Sequence, residues 1–134
     1  CGGVCIYIRN DLAFNPWTDL NQSDTENLWI EILLSKTRPI VIGVCYRPPN
    51  DNKFFDKLET NLGNCDRLSD LECYILGDFN VNVLHKKESG LVKCVTDLCS
   101  VFDFSQLIVD PTRVTDTCKS LIDLIFTSNS EKVV

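Results

Sequence analysis

The spacing of apolar and polar residues changes character along the chain, and each change marks an element. Residues 4–9 (V-C-I-Y-I-R) are β-branched and apolar, opened by Gly2-Gly3 and closed by Asn10-Asp11, which predicts a strand. Residues 14–24 contain Asn-Pro and several polar positions and predict a loop. In residues 27–34, Leu28, Ile30, Ile32 and Leu34 alternate onto one face, a second strand. A turn at 35–39 leads into Ile40–Tyr46, a near-continuous apolar run that predicts a strand buried on both faces and paired in an antiparallel hairpin with its predecessor. Arg47-Pro48-Pro49-Asn50-Asp51 stops it, because proline removes a donor and restricts the residue before it.

Beyond that stop, Phe54, Phe55, Leu58, Leu62 and Cys65 recur at helical spacing, predicting a helix over residues 52–66. Residues 72–76 predict the next strand, ending in Gly77-Asp78-Phe79-Asn80, and residues 81–89 a polar loop. Leu91, Val92, Val95, Leu98, Cys99 and Phe102 predict a second helix. A short strand at 106–109, an extended loop at 110–119 and a last strand at 120–127 complete the pattern. Strands in pairs with helices after two of them give a mixed α/β or α+β class. No linker or internal repeat appears, so residues 1–134 are expected to form one domain or part of one. The absent initiator Met and the stop soon after an apolar segment give the expectation of a piece from a longer protein.

Charge and cysteine content narrow the function classes. Thirteen Lys and Arg stand against nineteen Asp and Glu, a net charge of −6, which opposes binding to nucleic acid through a broad basic face. It leaves room for a metal-dependent phosphodiesterase, whose site needs carboxylates. The longest apolar runs fall far short of the ~20 residues that span a bilayer, so no membrane partner is expected. The eight cysteines include no Cys-x-x-Cys pair, and His85 is the single histidine. Cys5, Cys45 and Cys73 lie in strand-like apolar runs, where a free thiol behaves as a small hydrophobe. Reduced, buried thiols in an intracellular protein are the expectation.

Three places carry candidate chemistry. In Ile75-Leu76-Gly77-Asp78-Phe79-Asn80, alternation predicts Asp78 and Asn80 on one side and Phe79 in the core. Such an aspartate can take a proton from water or bind a divalent cation, and the carboxamide can orient that water. The same residues also suit a plain strand-ending turn. Asp123 lies in the apolar run L-I-D-L-I-F, where a carboxylate is costly to bury unless partnered; an outward-facing surface position is the alternative. Tyr46, before Arg47-Pro48-Pro49, can donate to a phosphate or simply line the core edge. Their joint presence is more specific than any one of them.

The ordered set G-G-V-C-I-Y-I-R, C-Y-R-P-P-N, Y-I-L-G-D-F-N, P-T-R and S-L-I-D-L-I-F-T-S resembles the endonuclease/exonuclease/phosphatase superfamily. Within it, the set resembles the apurinic-type endonuclease domain of LINE-type (non-LTR) retrotransposons. The resemblance implies a four-layer α/β sandwich of two mixed β-sheets flanked by helices, here incomplete at both termini. It also implies Mg²⁺-dependent nicking of DNA in the nucleus by a domain linked to a reverse transcriptase. By the same resemblance Asp78 is the catalytic aspartate, Asn80 positions the attacking water, Tyr46 contacts phosphate and Asp123 orients a catalytic histidine. Thr112, Arg113 and Ser120 fall where the family approaches the DNA backbone.

The family's metal-binding glutamate and catalytic histidine have no counterpart among these 134 residues. His85, just after G-D-F-N, is read as solvated. The metal ligands are therefore not assigned, and the chain alone is expected to be nearly inactive. The alternatives are a non-catalytic nucleic-acid-binding or interaction module of the same fold, and another phosphatase or nuclease of the superfamily. Exposed sheet edge and apolar surface near Ile6, Ile42 and Val44 are also expected.

Overall fold

The computed structural model describes residues 3–21, 24–84 and 89–133. Among the described residues, eight strands and two α-helices follow in the order β1 (Ala13–Pro16), β2 (Glu26–Leu33), β3 (Ile40–Tyr46), α1 (Phe54–Gly63), β4 (Glu72–Asp78), α2 (Gly90–Phe102), β5 (Ser105–Gln106), β6 (Arg113–Val114), β7 (Lys119–Ser120) and β8 (Asp123–Thr127). Short 3₁₀ turns lie at Asp66–Asp70 and Ser130–Lys132. Six strands form one mixed sheet in the order β1-β2-β3-β4-β8-β5, and β6 and β7 form a separate hairpin. Among the described residues only β3 and β4 run parallel. Helix α1 makes the crossover between them, as a parallel pair requires.

Side-chain parity separates the two faces of the sheet. On one, Trp29, Val41, Cys45, Cys73, Ile75, Leu124 and Phe126 are buried with Phe54, Phe55, Leu58 and Leu62 of α1 and Val95 and Leu98 of α2. Glycine is required at position 43 of this face. Its strand partner Trp29 lies across it, and a Cβ there would meet the indole at 2.4 Å. On the other face Leu28, Ile42, Val44, Leu76 and Ile125 are only half-buried. The two-sided burial expected of β3 is thus corrected to one fully covered face and one partly open one, since both helices pack on the same side. β3 lies between β2 and β4, so the expected sheet edge near Ile42 and Val44 is instead an open face.

Several boundaries move for physical reasons. Residues 4–9 form no strand: Val4, Ile6 and Ile8 are half-buried and Tyr7 is 95% exposed, but among the described residues no neighbouring strand supplies ladder hydrogen bonds. Part of the loop expected at 14–24 is β1, where Pro16 is tolerated because β1 is an edge strand. The first helix ends at Gly63, and Cys65 accepts from Leu68 in the 3₁₀ turn that follows. The loop expected at 110–119 contains the β6–β7 hairpin, and the last strand begins at Asp123. Cys45, Cys65 and Cys73 are buried free thiols, whereas Cys5, expected to be buried, is exposed.

Candidate active site

Tyr46, Asp78 and Asp123 occupy one row across three adjacent strands. Tyr46 ends β3 and is the register partner of Asp78, which ends β4; Asp78 is in turn the partner of Asp123, which opens β8. Paired residues on neighbouring strands project from the same face of a sheet. The three side chains therefore share the partly open face, at the end where β3 and β4 run out. Tyr46 and Asp78 are half-buried and Asp123 is exposed.

Gly77 allows this row to form. A Cβ at that position would lie 1.8 Å from the Cys45 carbonyl oxygen, so only glycine lets β4 approach β3 here. The next anchor is Phe79, fully buried among Phe54, Phe55 and Phe126 at ring-centroid distances of 6.0, 6.2 and 5.2 Å. The Phe79 amide donates to the Ile122 carbonyl at 2.9 Å, tying the end of β4 to the residue before Asp123.

Asn80 departs from simple alternation. The strand ends at Asp78, and Asn80 has φ +50°, a left-handed conformation that asparagine tolerates better than most residues. Its amide donates to Asp78 Oδ1 at 2.9 Å and its Nδ2 donates to the Arg47 carbonyl at 2.8 Å. The carboxamide is thus fixed beside Asp78 by a turn rather than by strand periodicity. The turn reading and the functional reading of Gly77–Asn80 describe the same backbone.

The substrate-contact candidates sit next to this row. Thr112 Oγ1 accepts from the amides of Ile122 and Asp123 at 3.3 and 3.2 Å, and its own amide donates to the Ser120 carbonyl at 3.0 Å. Arg113 and Ser120 are register partners in the β6–β7 hairpin, with Arg113 exposed. His85 lies outside the described residues.

Two contributors escaped the sequence reading. Asn82 Oδ1 accepts from the amides of Leu84 and Leu121, at 3.1 and 3.0 Å, and so joins the segment after β4 to the approach of β8. Arg47 is fully buried and collects backbone carbonyls from both strand exits. The second asparagine of N-V-N and an arginine directly after an apolar strand are weak signals, because their partners are backbone atoms with no residue signature.

Among the described residues, no group of three or more His, Cys, Asp or Glu side chains is placed to hold a metal ion. Asp78 and Asp123 nonetheless bring two carboxylates together. That donor set suits a hard divalent cation that keeps most of its waters and takes a further oxygen from a phosphate. Cys45, next to Tyr46, is no nucleophile: burial pushes its thiol up to about 12. The opposite end of the sheet carries a separate groove of about 1090 Å³, lined by Arg38, Ile40, Glu72 and Tyr74 among others. It lies roughly 20 Å from Asp78 at the rise per residue of a strand, too far to serve the row.

No protein-family model and no curated protein sequence matches the chain. Solved structures do. The endonuclease domain of TRAS1, a telomere-specific non-LTR retrotransposon, superposes with a TM-score of 0.72 at 14% identity, over 90% of this chain and 57% of that one. An endonuclease/exonuclease/phosphatase family protein from Leptotrichia buccalis gives 0.55 at 15% identity, over 89% and 49%. The human Nocturnin catalytic domain with bound sulfate gives 0.52 at 14%, over 80% and 42%. The chain thus spans about half the length of these structures. The likeness supports the resemblance carried by the sequence motifs, and the fold of this chain is that of the endonuclease/exonuclease/phosphatase proteins.

Proposed function

We propose that this chain supplies one wall of a Mg²⁺-dependent phosphodiesterase site that nicks DNA. The observation that supports it is the row Tyr46–Asp78–Asp123, with Asn80 pinned beside it. Asp78 accepts the proton of the attacking water. Asn80 commits its Nδ2 to the Arg47 carbonyl, which leaves its carboxamide oxygen to accept from that water and orient it. The Tyr46 hydroxyl donates to a non-bridging phosphate oxygen. Asp78 and Asp123 would hold Mg²⁺, which when bound offsets the charge that builds on the phosphate. Thr112, Arg113 and Ser120 lie along the approach of the DNA backbone. Asp123 also serves to orient a histidine contributed from outside the described residues.

On this reading the parent protein links the domain to a reverse transcriptase and acts in the nucleus. Each missing charge-stabilising group commonly lowers rate by ~10²–10³, so the chain by itself cleaves little or nothing.

The test combines plasmid nicking with an NMR titration of Mg²⁺ and a short DNA duplex. Trace nicking abolished in Asp78→Ala, with Mg²⁺-dependent shifts at Tyr46, Asp78 and Asp123, is the expected result. Robust nicking that depends on Asp78 would overturn the low-activity part alone. Titration without response at any of the three residues would end the phosphodiesterase reading.

A further inference from the structure

Arg47 is 0% exposed, yet among the described residues it has no carboxylate partner. Its guanidinium donates only to backbone carbonyls: Nε to Asp51 at 3.0 Å, Nη2 to Pro49 at 3.3 Å, and Nη1 to Phe79 at 3.2 Å and Asn80 at 3.4 Å. Its ring neighbour is Phe55, 6.0 Å from the guanidinium carbon. The main chain of the same residue makes two more bonds. Its amide donates to the Asp78 carbonyl at 2.9 Å, and its carbonyl accepts from Asn80 Nδ2 at 2.8 Å.

These bonds have one geometric result. Tyr46 and Asp78 are the last residues of two parallel strands, and past that point no ladder holds the strands together. Two of the carbonyls on the guanidinium belong to the loop that follows Tyr46, and two to the turn that follows Asp78. A single planar group with five donors in a fixed fork spans both exits.

We propose that Arg47 is the positioning residue of the site: its buried guanidinium fixes the separation and aim of Tyr46, Asp78 and Asn80 by clamping the two strand exits. This rests on the phosphodiesterase reading for its functional meaning, although the clamp is defined by the bonds alone. Lysine is not an equivalent. It carries the charge, but three donors on one atom cannot reach carbonyls distributed around a plane.

The test uses the 134-residue chain with Mn²⁺ as a paramagnetic stand-in for Mg²⁺. Arg47→Lys, Arg47→Ala and Leu62→Ala are compared by thermal unfolding, by the amide and carboxamide resonances of Asn80, and by Mn²⁺ broadening at Asp78 and Asp123. Leu62, buried on α1 away from the row, is the stability control. Expected is a loss of Mn²⁺ affinity of about 10–100-fold in Arg47→Lys, with displaced Asn80 resonances. The Leu62→Ala control lowers the melting temperature but keeps wild-type Mn²⁺ binding. Millimolar guanidinium restores the Asn80 resonances of Arg47→Ala.

Unmoved Asn80 resonances in Arg47→Lys would overturn the proposal. So would unfolding of both Arg47 variants, or an equal loss of Mn²⁺ binding in Leu62→Ala, since either makes Arg47 a stability element only. If the wild type shows no Mn²⁺ broadening, the phosphodiesterase reading fails instead, and the Asn80 resonances still decide whether Arg47 sets this geometry.

Discussion

Asp78 and Asp123 stand directly opposite each other as register partners of the antiparallel β4–β8 pair. Like charges in that relation destabilise a sheet. Asp123→Asn is therefore expected to stabilise the chain by a few tenths of a kcal/mol, up to ~1 kcal/mol. Millimolar Mg²⁺ should raise the melting temperature of the wild type and leave that of Asp123→Asn unchanged. Thermal unfolding with and without Mg²⁺ checks both halves; a destabilised Asp123→Asn variant would show that the pair is not repulsive.

Gly77 gives a second expectation. The Cβ of an alanine would lie 1.8 Å from the Cys45 carbonyl oxygen and 2.8 Å from its carbon, and neither atom can swing aside as a side chain would. Gly77→Ala should cost about 3 kcal/mol, the upper end of ordinary overpacking. A urea denaturation midpoint within experimental error of the wild type would refute the close approach of β3 and β4.

Part of the pH dependence of stability is set far from the site, at the start of β4. Glu72 is held below its ordinary value of 4.5, first by the Lys132 ammonium at 2.7 Å and then by the Tyr74 hydroxyl at 2.6 Å. A depressed carboxylate contributes stability that is complete above 4.5 and is lost as pH falls through its folded value. Lys132 is raised above 10.5 by Glu72, so its contribution is complete below 10.5 and is lost as pH rises through the folded value. Tyr74, raised above 10.0 by its bond to Glu72, acts in the same sense. Glu72→Gln should make both limbs of a stability-against-pH curve shallower, while the buried thiols of Cys45 and Cys73, pushed up to about 12, keep part of the alkaline limb. Unchanged acid and alkaline limbs in that variant would remove this cluster from the explanation.

The strand-and-helix alternation and the β2–β3 hairpin were legible because apolar periodicity reports burial directly. So was the grouping of Tyr46, Asp78 and Asp123, each of which sits at a strand end or interrupts an apolar run. At Asn80 the strand had already ended, and a left-handed turn rather than strand parity sets its place beside Asp78. The strand expected at residues 4–9 did not form, because among the described residues that segment has no partner to complete a ladder. Arg47 and Asn82 were hidden for another reason: they bind backbone carbonyls and amides, which every residue carries. The burial of β3 was overestimated because composition cannot tell on how many sides a helix layer will pack.

The half-buried face formed by Leu28, Ile42, Val44, Leu76 and Ile125 leads to a fourth expectation. Contiguous apolar surface of this kind favours association. The isolated chain should form concentration-dependent oligomers, and Ile42→Thr combined with Val44→Thr should reduce them. Sedimentation velocity over a range of loading concentrations checks this, and a monomer at every concentration would contradict it.

The order in which the sheet is joined governs when the site can exist. Tyr46 and Asp78 come together through the α1 crossover, but Asp123 arrives on β8, the last strand among the described residues. β5 precedes β8 in sequence and, among the described residues, pairs only with it. A ribosome-bound nascent chain halted before β8 therefore has Tyr46 and Asp78 without their third member, and β5 without a ladder. The acidic pair is completed only when that final strand docks between two segments made earlier, a long-range closure of the slow kind. Cation affinity should thus appear only after β8 has emerged, as a mark that its docking step is complete.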